Sequence, residues 1–360
     1  MTSSAITPQT HAAALDKDGN WFPENLAQIT DRLTALAARP TSAPPVAVFD
    51  FDNTCIFRDI GQAVFRYQLQ HLRYRLIPEQ LATILPQADI QLAGRPLAAI
   101  TATLVETYRV LFPLLIADRY KQAQCLPQAR LFTALLLWFT DQARKDERLG
   151  PRFVLPFMGK LLAGFTTGEL RFMAIDVVQT AQSEPLVDEW LRVEAPEPIG
   201  AIEASFPLGL HPYPEMLALM RLLAAQGIER YVISASAEWL VEGAASWLGF
   251  PVDAEHIYGI RVGLDMGEVL TISDPPDYPV TYREGKAEII TRLIGGRPIL
   301  VAGDADTDYE MLTLPEVDIR LLLNRKQRGL ISSLYTDPRI LLQGLDLANG
   351  RFRPSRESIE

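Results

Sequence analysis

The sequence predicts an α/β fold: a parallel sheet carrying a large inserted helical domain. Three observations predict it. First, short apolar runs (Val46 to Phe49, Tyr231-Val232-Ile233, Pro298 to Val301) alternate with helical stretches. Strands separated by helices wind into parallel sheets with right-handed crossovers. Second, each run stops abruptly in polar residues: Asp50-Phe51-Asp52-Asn53-Thr54, Ser234-Ala235-Ser236 and Gly303-Asp304-Ala305-Asp306-Thr307-Asp308. An apolar run bounded by turn residues suits a buried parallel strand, and ligands of such sheets gather beyond the carboxyl ends of the strands. Third, from Thr54 to near Gly200 the pattern stays helical, too long for a crossover and long enough for a domain of its own.

In chain order, residues 1–20 are expected to form a loose arm. Leu26, Ile29, Leu33 and Leu36 recur at helical spacing within residues 24–38, and Pro40, Pro44 and Pro45 end that helix before the first strand. Val64, Phe65, Leu69, Leu72 and Leu76 form the next stripe, with Arg66, Arg73 and Arg75 as its solvating charges. Further helices are expected at 79–86, 97–116, 127–145, 152–165, 168–182 and 185–193. Residues 194–207, broken by Pro196, Pro198 and Gly200, form the return hinge. Pro212 to Gly227 is a helix ended by glycine, and Ala237 to Gly249 another. Residues 256–282 suggest a β-hairpin excursion, a helix opens at Gly285-Lys286, and further strands follow at 317–323 and 339–342. The domain division is therefore residues 1–58 plus 206–360 for the α/β core, and residues 59–205 for the helical insertion.

Composition narrows the function. The chain has 360 residues, 48% of them hydrophobic, and a formal net charge of −10, which argues against a nucleic-acid-binding face. Cys55 and Cys125 are expected to be buried, reduced thiols. The four histidines, His11, His71, His211 and His256, are scattered, which argues against a histidine zinc site. Residues 1–20 lack the basic start and apolar core of a secretory signal. As written, the chain is expected to be cytoplasmic; a chain whose export signal had been removed would look the same. No run of about 18 or more apolar residues stands out as a membrane span, and Leu131 to Phe139 is expected to be a buried helix.

Three strand ends thus carry Asp50 and Asp52, Ser234, and Asp304 and Asp308, with Lys286 between the last two. In order, D-x-D-x-T, a strand-end serine, a lysine and G-D-x-x-x-D resemble the motifs of the haloacid-dehalogenase-like (HAD) phosphohydrolases. The resemblance covers nearly the whole chain. It implies a Rossmann-like HAD core with a parallel sheet, and makes the helical insertion a large C1-type cap. It also implies Mg²⁺ held by Asp50, the backbone carbonyl of Asp52, Asp304 and Asp308, the last as ligand or support. Each residue type suits phosphoryl transfer, which depends mostly on positioning and charge neutralisation. Asp50 would attack phosphorus, and Asp52 would protonate the leaving alcohol and then deprotonate water. Lys286 would neutralise charge. Ser234, with backbone N–H groups such as that of Ala235, would hold a phosphate oxygen. Asp306 is expected to be a loop residue, Arg283 a surface charge and Asn53 a turn former.

Within that superfamily the large helical cap resembles the phosphoserine-phosphatase-like branch. Closest is bacterial phosphorylcholine phosphatase, through Val48 to Thr54, Tyr231 to Ala235, Pro298 to Asp304, Pro156-Phe157, Gly164-Phe165-Thr166, Glu169-Leu170 and Leu323 to Lys326. The chain departs from it in a cap segment that is tyrosine-rich in that family and has one tyrosine, Tyr108, here. The resemblance implies a phosphatase for a small phosphate ester; from charge and the lack of an apolar span, no nucleic-acid or membrane partner is expected. Asp59, Tyr108 and Phe157 become candidates for gripping a substrate ammonium, by charge and by cation–π contact, with Glu106 adding charge. Phosphoserine or another small metabolite is the alternative substrate, and a phosphotransferase or non-hydrolytic binding protein the alternative of another class.

Overall fold

The first strand, β1 (Val46–Phe49), is buried at every residue, and its two valines favour the extended pleat. A computed structural model describes Leu15, residues 19–37 and residues 44–360. The remaining positions of the expected 1–20 arm, and Ala38 and Pro40, lie outside the described residues. The chain divides into two units.

The first unit comprises residues 1–59, 210–259 and 281–360. Its strands are β1, β2 (Glu229–Ala237), β3 (Ile257–Ile260), β4 (Pro298–Gly303), β5 (Ile319–Asn324), β6 (Ile340–Asp346) and β7 (Arg351–Phe352). They form one seven-stranded sheet in the order β7-β6-β5-β4-β1-β2-β3. β1 runs parallel to β4 and β2, β5 parallel to β4 and β6, and β7 antiparallel to β6. The sheet is therefore the mostly parallel α/β sheet expected, extended by β7, which carried no clear sequence signal, and by β3, which lies at the start of the stretch 256–282 read as a hairpin excursion. The chain adds β2 and β3 on one side of β1 and then returns to place β4 on the other. That reversal makes the carboxyl end of β1 the topological switch point, where α/β sheets open a crevice.

Helix α1 (Pro23–Ala37) begins with proline at its first position, where the missing N–H costs nothing. It turns Ile29 and Leu33 inward and is tied to β6: Asn25 Nδ2 donates to the Leu342 carbonyl at 2.9 Å, and the Phe22 N–H to Gln343 Oε1 at 2.9 Å. In the first turn of the helix Pro214–Ala225, Glu215 is buried. One of its oxygens accepts the Asn20 N–H at 2.9 Å, and Oε2 has no partner among the described residues. Burial raises its pKa. The folded state therefore holds this proton more tightly than the unfolded chain does. Its contribution to stability is present in acid and lost as pH rises through the raised value. Glu215→Gln should raise the denaturation midpoint at pH 8 and converge with wild type near pH 4, as read from urea melts at both.

The second unit comprises residues 60–209 and 260–280. Its helices are Ile60–His71, Pro78–Ile84, Leu97–Leu115, Tyr120–Gln124, Pro127–Lys145, Gly150–Lys160 and Thr167–Ala181. Most follow the apolar periodicity within two residues. The first ends early because Leu72 turns left-handed at φ 52°. Leu97–Leu115 is long and apolar enough to cross a membrane by length and composition, contrary to the expectation of no such stretch; here Leu97, Ile100, Leu104, Leu111 and Leu115 pack into the unit's core. Arg66 is no solvating charge: it is buried and forms a bidentate pair with Glu184 at 2.7 Å.

Two stretches depart from expectation. Residues 188–207 are an antiparallel hairpin, Asp188–Ala195 against Gly200–Pro207, where a helix and a hinge were expected. Its inward positions Ala195, Ile202, Ala204 and Phe206 join the helical core, and Arg95 clamps its turn by donating to the Ile199 and Ala201 carbonyls at 2.7 and 2.6 Å. The excursion 260–280 does contain a short hairpin, Leu264–Asp265 with Val269–Leu270, but it belongs to the helical unit. Gly164 N–H donates to the Leu270 carbonyl and Leu270 N–H to the Phe165 carbonyl, both at 2.8 Å. The observed division thus shifts the expected boundaries by a few residues and adds this segment to the insertion.

Candidate active site

Register decides what meets at the switch point. Phe49 pairs with Ala302 of β4 and with Val232 of β2, and Asp50 N–H continues the ladder to the Ala302 carbonyl at 2.9 Å. Two residues beyond Ala302, just past β4, lies Asp304, and two residues beyond Val232, still within β2, lies Ser234. Asp50 and Asp304, just past the ends of β1 and β4, and Ser234, within the last part of β2, are therefore delivered to one place from distant parts of the chain.

Asp50, Asp304 and Asp308 are all buried, and each offers an oxygen within 4.8 Å of the others. Lys286, fully buried, lies between two of them, with Nζ 2.6 Å from Asp50 Oδ1 and 2.7 Å from Asp308 Oδ1. The short helix Glu284–Ile289 presents it. Asp308 is folded back on its own loop, where its Oδ2 accepts the N–H groups of Asp304 and Ala305 at 2.9 and 3.2 Å. This close return requires Gly303, since a Cβ there would lie 2.6 Å from that of Asp308. With both oxygens of Asp308 so engaged, its first task here is to hold Lys286 and the loop.

Asp52 stands apart from the triad. Its Oδ2 accepts from Ser234 Oγ at 2.9 Å and from Ser236 Oγ at 2.7 Å, and Ser236 Oγ also lies 3.3 Å from Asp59 Oδ1. Asp52, Asp59 and Ala235 are half-buried, whereas Ser234 is fully buried. Thr281 Oγ1 donates to the Ser234 carbonyl at 2.6 Å and fixes the strand end. Two kinds of carboxylate thus sit side by side: a buried set around a lysine, and a partly open one on serine hydroxyls.

Burial, with the neighbouring Asp308 charge, pushes the Asp50 carboxyl well above the usual range against the pull of Lys286. Burial raises Asp304 too, opposed by Arg325. For Lys286 burial disfavours the ammonium, but Asp308 and Asp50 overcome it and raise its pKa. Such crowding of like charges is what a cation relieves. The donor set is all oxygen, which suits a hard ion such as Mg²⁺ and not zinc. Acidic groups outnumber Lys286 and Arg325 here, so a divalent ion would offset charge that these two cations leave. The residues present fit that ion.

Sequence reasoning missed three contributors. Arg325 Nη1 lies 2.7 Å from Asp304 Oδ2, Thr54 Oγ1 donates to Asp304 Oδ1 at 3.1 Å, and Ser236 holds Asp52. Thr54 and Ser236 stood inside the quoted motifs, and Arg325 inside the quoted stretch Leu323 to Lys326, without a role assigned to it. Arg283 is no solvated charge: it is paired with Glu310 at 2.6 Å. Asp306 anchors its loop by accepting the Ile331 N–H at 2.7 Å, and Asn53 takes the left-handed turn at φ 61°. Cys55 is buried, its thiol raised in pKa by burial, but Cys125 is exposed, which corrects the expectation for the second thiol.

Tyr108 and Phe157 do not line an open surface. Both are 1% exposed within the core of the helical unit. Tyr108 stacks on Phe132 at 5.3 Å and gives its hydroxyl to the Leu76 carbonyl at 2.7 Å. Phe157 stacks on Phe153 at 5.5 Å. Packing, not ligand contact, accounts for both rings, and the expectation that they grip a substrate cation is corrected. Glu106, on the same helix, is exposed.

No family model and no curated protein matches the sequence. Among solved structures, the chain is similar to a conserved protein of unknown function from Anaerococcus prevotii DSM 20548. The TM-score is 0.79 at 24% identity, over 95% of this chain and 97% of that one. The fold is shared along essentially its whole length. Weaker likenesses reach a phosphoserine phosphohydrolase-like protein from Francisella tularensis subsp. tularensis SCHU S4 (TM-score 0.37, 14% identity, 78% and 87% covered) and a substrate-bound phosphoserine phosphatase complex (TM-score 0.33, 11% identity, 79% and 87% covered).

Proposed function

We propose that the protein is a Mg²⁺-dependent phosphomonoesterase of the HAD type, acting on a small phosphate ester through an aspartyl-phosphate on Asp50. The observation that carries this reading is the convergence of Asp50, Lys286, Asp304 and Asp308 at the switch point, with Asp52 held separately on serine hydroxyls.

Asp50, Asp304 and the backbone carbonyl of Asp52 would hold the ion, with Asp308 in support. Bound there, it supplies charge neutralisation for an anionic ester meeting an anionic nucleophile. An Asp50 oxygen forms a bond to phosphorus as the ester P–O bond breaks, and the Asp52 proton passes to the departing alkoxide. Water then attacks the aspartyl-phosphate and gives its proton to Asp52, which regenerates the Asp50 carboxylate and releases phosphate. Ser234, by turning its hydroxyl from Asp52, would hold a phosphate oxygen beside the Ala235 N–H. Lys286 balances Asp50 throughout.

A cationic alcohol, such as an amino alcohol or choline, is the substrate class we favour. Asp59 supports it: a half-buried acid beside Ser236 and therefore beside Asp52, where the leaving group departs. With Tyr108 and Phe157 in the core, the charge preference rests first on Asp59. The test compares phosphorylcholine with a neutral alkyl phosphate of similar size, with and without Mg²⁺, in wild type and Asp59→Asn. Hydrolysis of either that ceases reversibly on chelation is expected. A preference for phosphorylcholine in kcat/KM that shrinks in the variant is expected as well. Equal rates on both esters would leave the phosphomonoesterase and remove the cationic substrate; full activity in excess chelator would remove the metal.

A further inference from the structure

Arg325 has no part in the proposed chemistry and none in the four motifs that carry the catalytic residues. Its guanidinium donates to Asp304 Oδ2 at 2.7 Å, while the other oxygen of Asp304 accepts from Thr54. Asp304 is the single hydrogen-bond partner of the Arg325 side chain among the described residues. Arginine cannot shed its proton to make room for another cation. A metal ion taking Asp304 as ligand therefore meets a permanent positive charge already on that carboxylate.

The two cations of the site are not equivalent. Lys286 has 0% of its side chain exposed and is fixed by two carboxylates. Arg325 has 28% of its side chain exposed and is held by one, so it has solvent to move into. Its backbone, by contrast, is firmly placed. Asn324 Oδ1 accepts the Lys326 N–H at 3.0 Å, Asn324 Nδ2 donates to the Arg356 carbonyl at 3.0 Å, and Ser358 Oγ donates to the Asn324 carbonyl. Gln327 N–H donates to the Tyr335 hydroxyl at 2.9 Å. A rigid turn thus delivers a releasable charge to one metal-ligand candidate.

We infer that Arg325 is an internal counter-cation that competes with the divalent ion for Asp304 and so sets how tightly the site holds it. It is a positioning residue: it keeps Asp304 compensated and in place before the ion arrives and is displaced when it does. This rests on the metal site of the proposed phosphomonoesterase.

The test is Mg²⁺ titration by calorimetry of wild type, Arg325→Gln, Arg325→Lys and Asp304→Ala, with melting temperature recorded with and without Mg²⁺. Arg325→Gln should bind Mg²⁺ about fivefold or more tightly than wild type, the lower end of ordinary couplings between bound ligands. Without Mg²⁺ it should melt lower, and Mg²⁺ should raise its melting temperature by more than it raises wild type's. Arg325→Lys, which keeps a charge, should fall between the two. Unchanged or weaker Mg²⁺ binding in Arg325→Gln, with wild-type binding that Asp304→Ala abolishes, would overturn the role of Arg325 and leave the metal site intact. No Mg²⁺ binding by wild type would overturn both.

Discussion

Asp50→Asn should leave a folded protein with no measurable phosphomonoesterase turnover. Asparagine has nearly the shape of aspartate, and the backbone bond from residue 50 to Ala302 is unaffected. What is lost is the oxyanion that attacks phosphorus; removing a covalent nucleophile costs roughly 10⁴- to 10⁶-fold in rate. Stability should hold or rise, because the substitution removes one charge from a crowd of buried carboxylates whose ionisation burial already opposes. Asp52→Asn is the informative contrast. It should cost about 10²- to 10⁴-fold, and its effect on the first chemical step should shrink for an aryl phosphate whose leaving group needs no proton. Steady-state kinetics on an alkyl and an aryl ester, with denaturant melts of each variant, would check both. An Asp50→Asn enzyme with near-normal turnover would refute the mechanism.

What the sequence made legible here was whatever chemistry is written locally. β1 announces itself because four apolar residues are followed at once by Asp50 and Asp52, and β4 ends in the same abrupt way; the apolar part of β2 stops before Ser234, although the strand itself runs on to Ala237. The long helices Leu97–Leu115 and Pro127–Lys145 matched to within a residue, because an apolar stripe sustained over several turns leaves little freedom in phase. Other features depend on partners distant in the chain. The strand Asp188–Ala195 is exposed along most of its length, so its weak alternation competed with flanking acids that suit a helix end. The 260–280 segment takes its place from bonds to Gly164 and Phe165, about which its own residues say nothing. Arg325 reaches Asp304 from a different strand end, across a spacing that no motif fixes. Tyr108 and Phe157 show the opposite case. Their surroundings resembled a binding segment, yet aromatic residues at helical spacing first satisfy the core, and both rings are enclosed there.

Lys286→Met should destabilise the protein as well as inactivate it, the largest stability change expected of any single substitution here. The ammonium lies 2.6 Å from Asp50 and 2.7 Å from Asp308, with no side-chain exposure. Methionine preserves much of the apolar stem but leaves two buried carboxylates facing each other without their shared cation. Breaking a buried ion pair from one side typically costs about 3–5 kcal/mol, because the surviving charge is stranded. Two further measurements separate this cause from poor packing. Saturating Mg²⁺ should recover part of the lost stability, since a divalent ion at Asp50 and Asp304 replaces positive charge that methionine cannot supply. The double variant Lys286→Met with Asp308→Asn should also be more stable than Lys286→Met alone, because the amide keeps an oxygen for the Asp304 and Ala305 N–H groups while discarding the stranded charge. Neither treatment should restore turnover, which needs the Lys286 ammonium as well as the divalent ion beside Asp50 as phosphorus is attacked. Urea denaturation of the two variants, with and without Mg²⁺, decides it: equal midpoints for the single and double variants would mean that Lys286 stabilises this site by filling space and not by its charge.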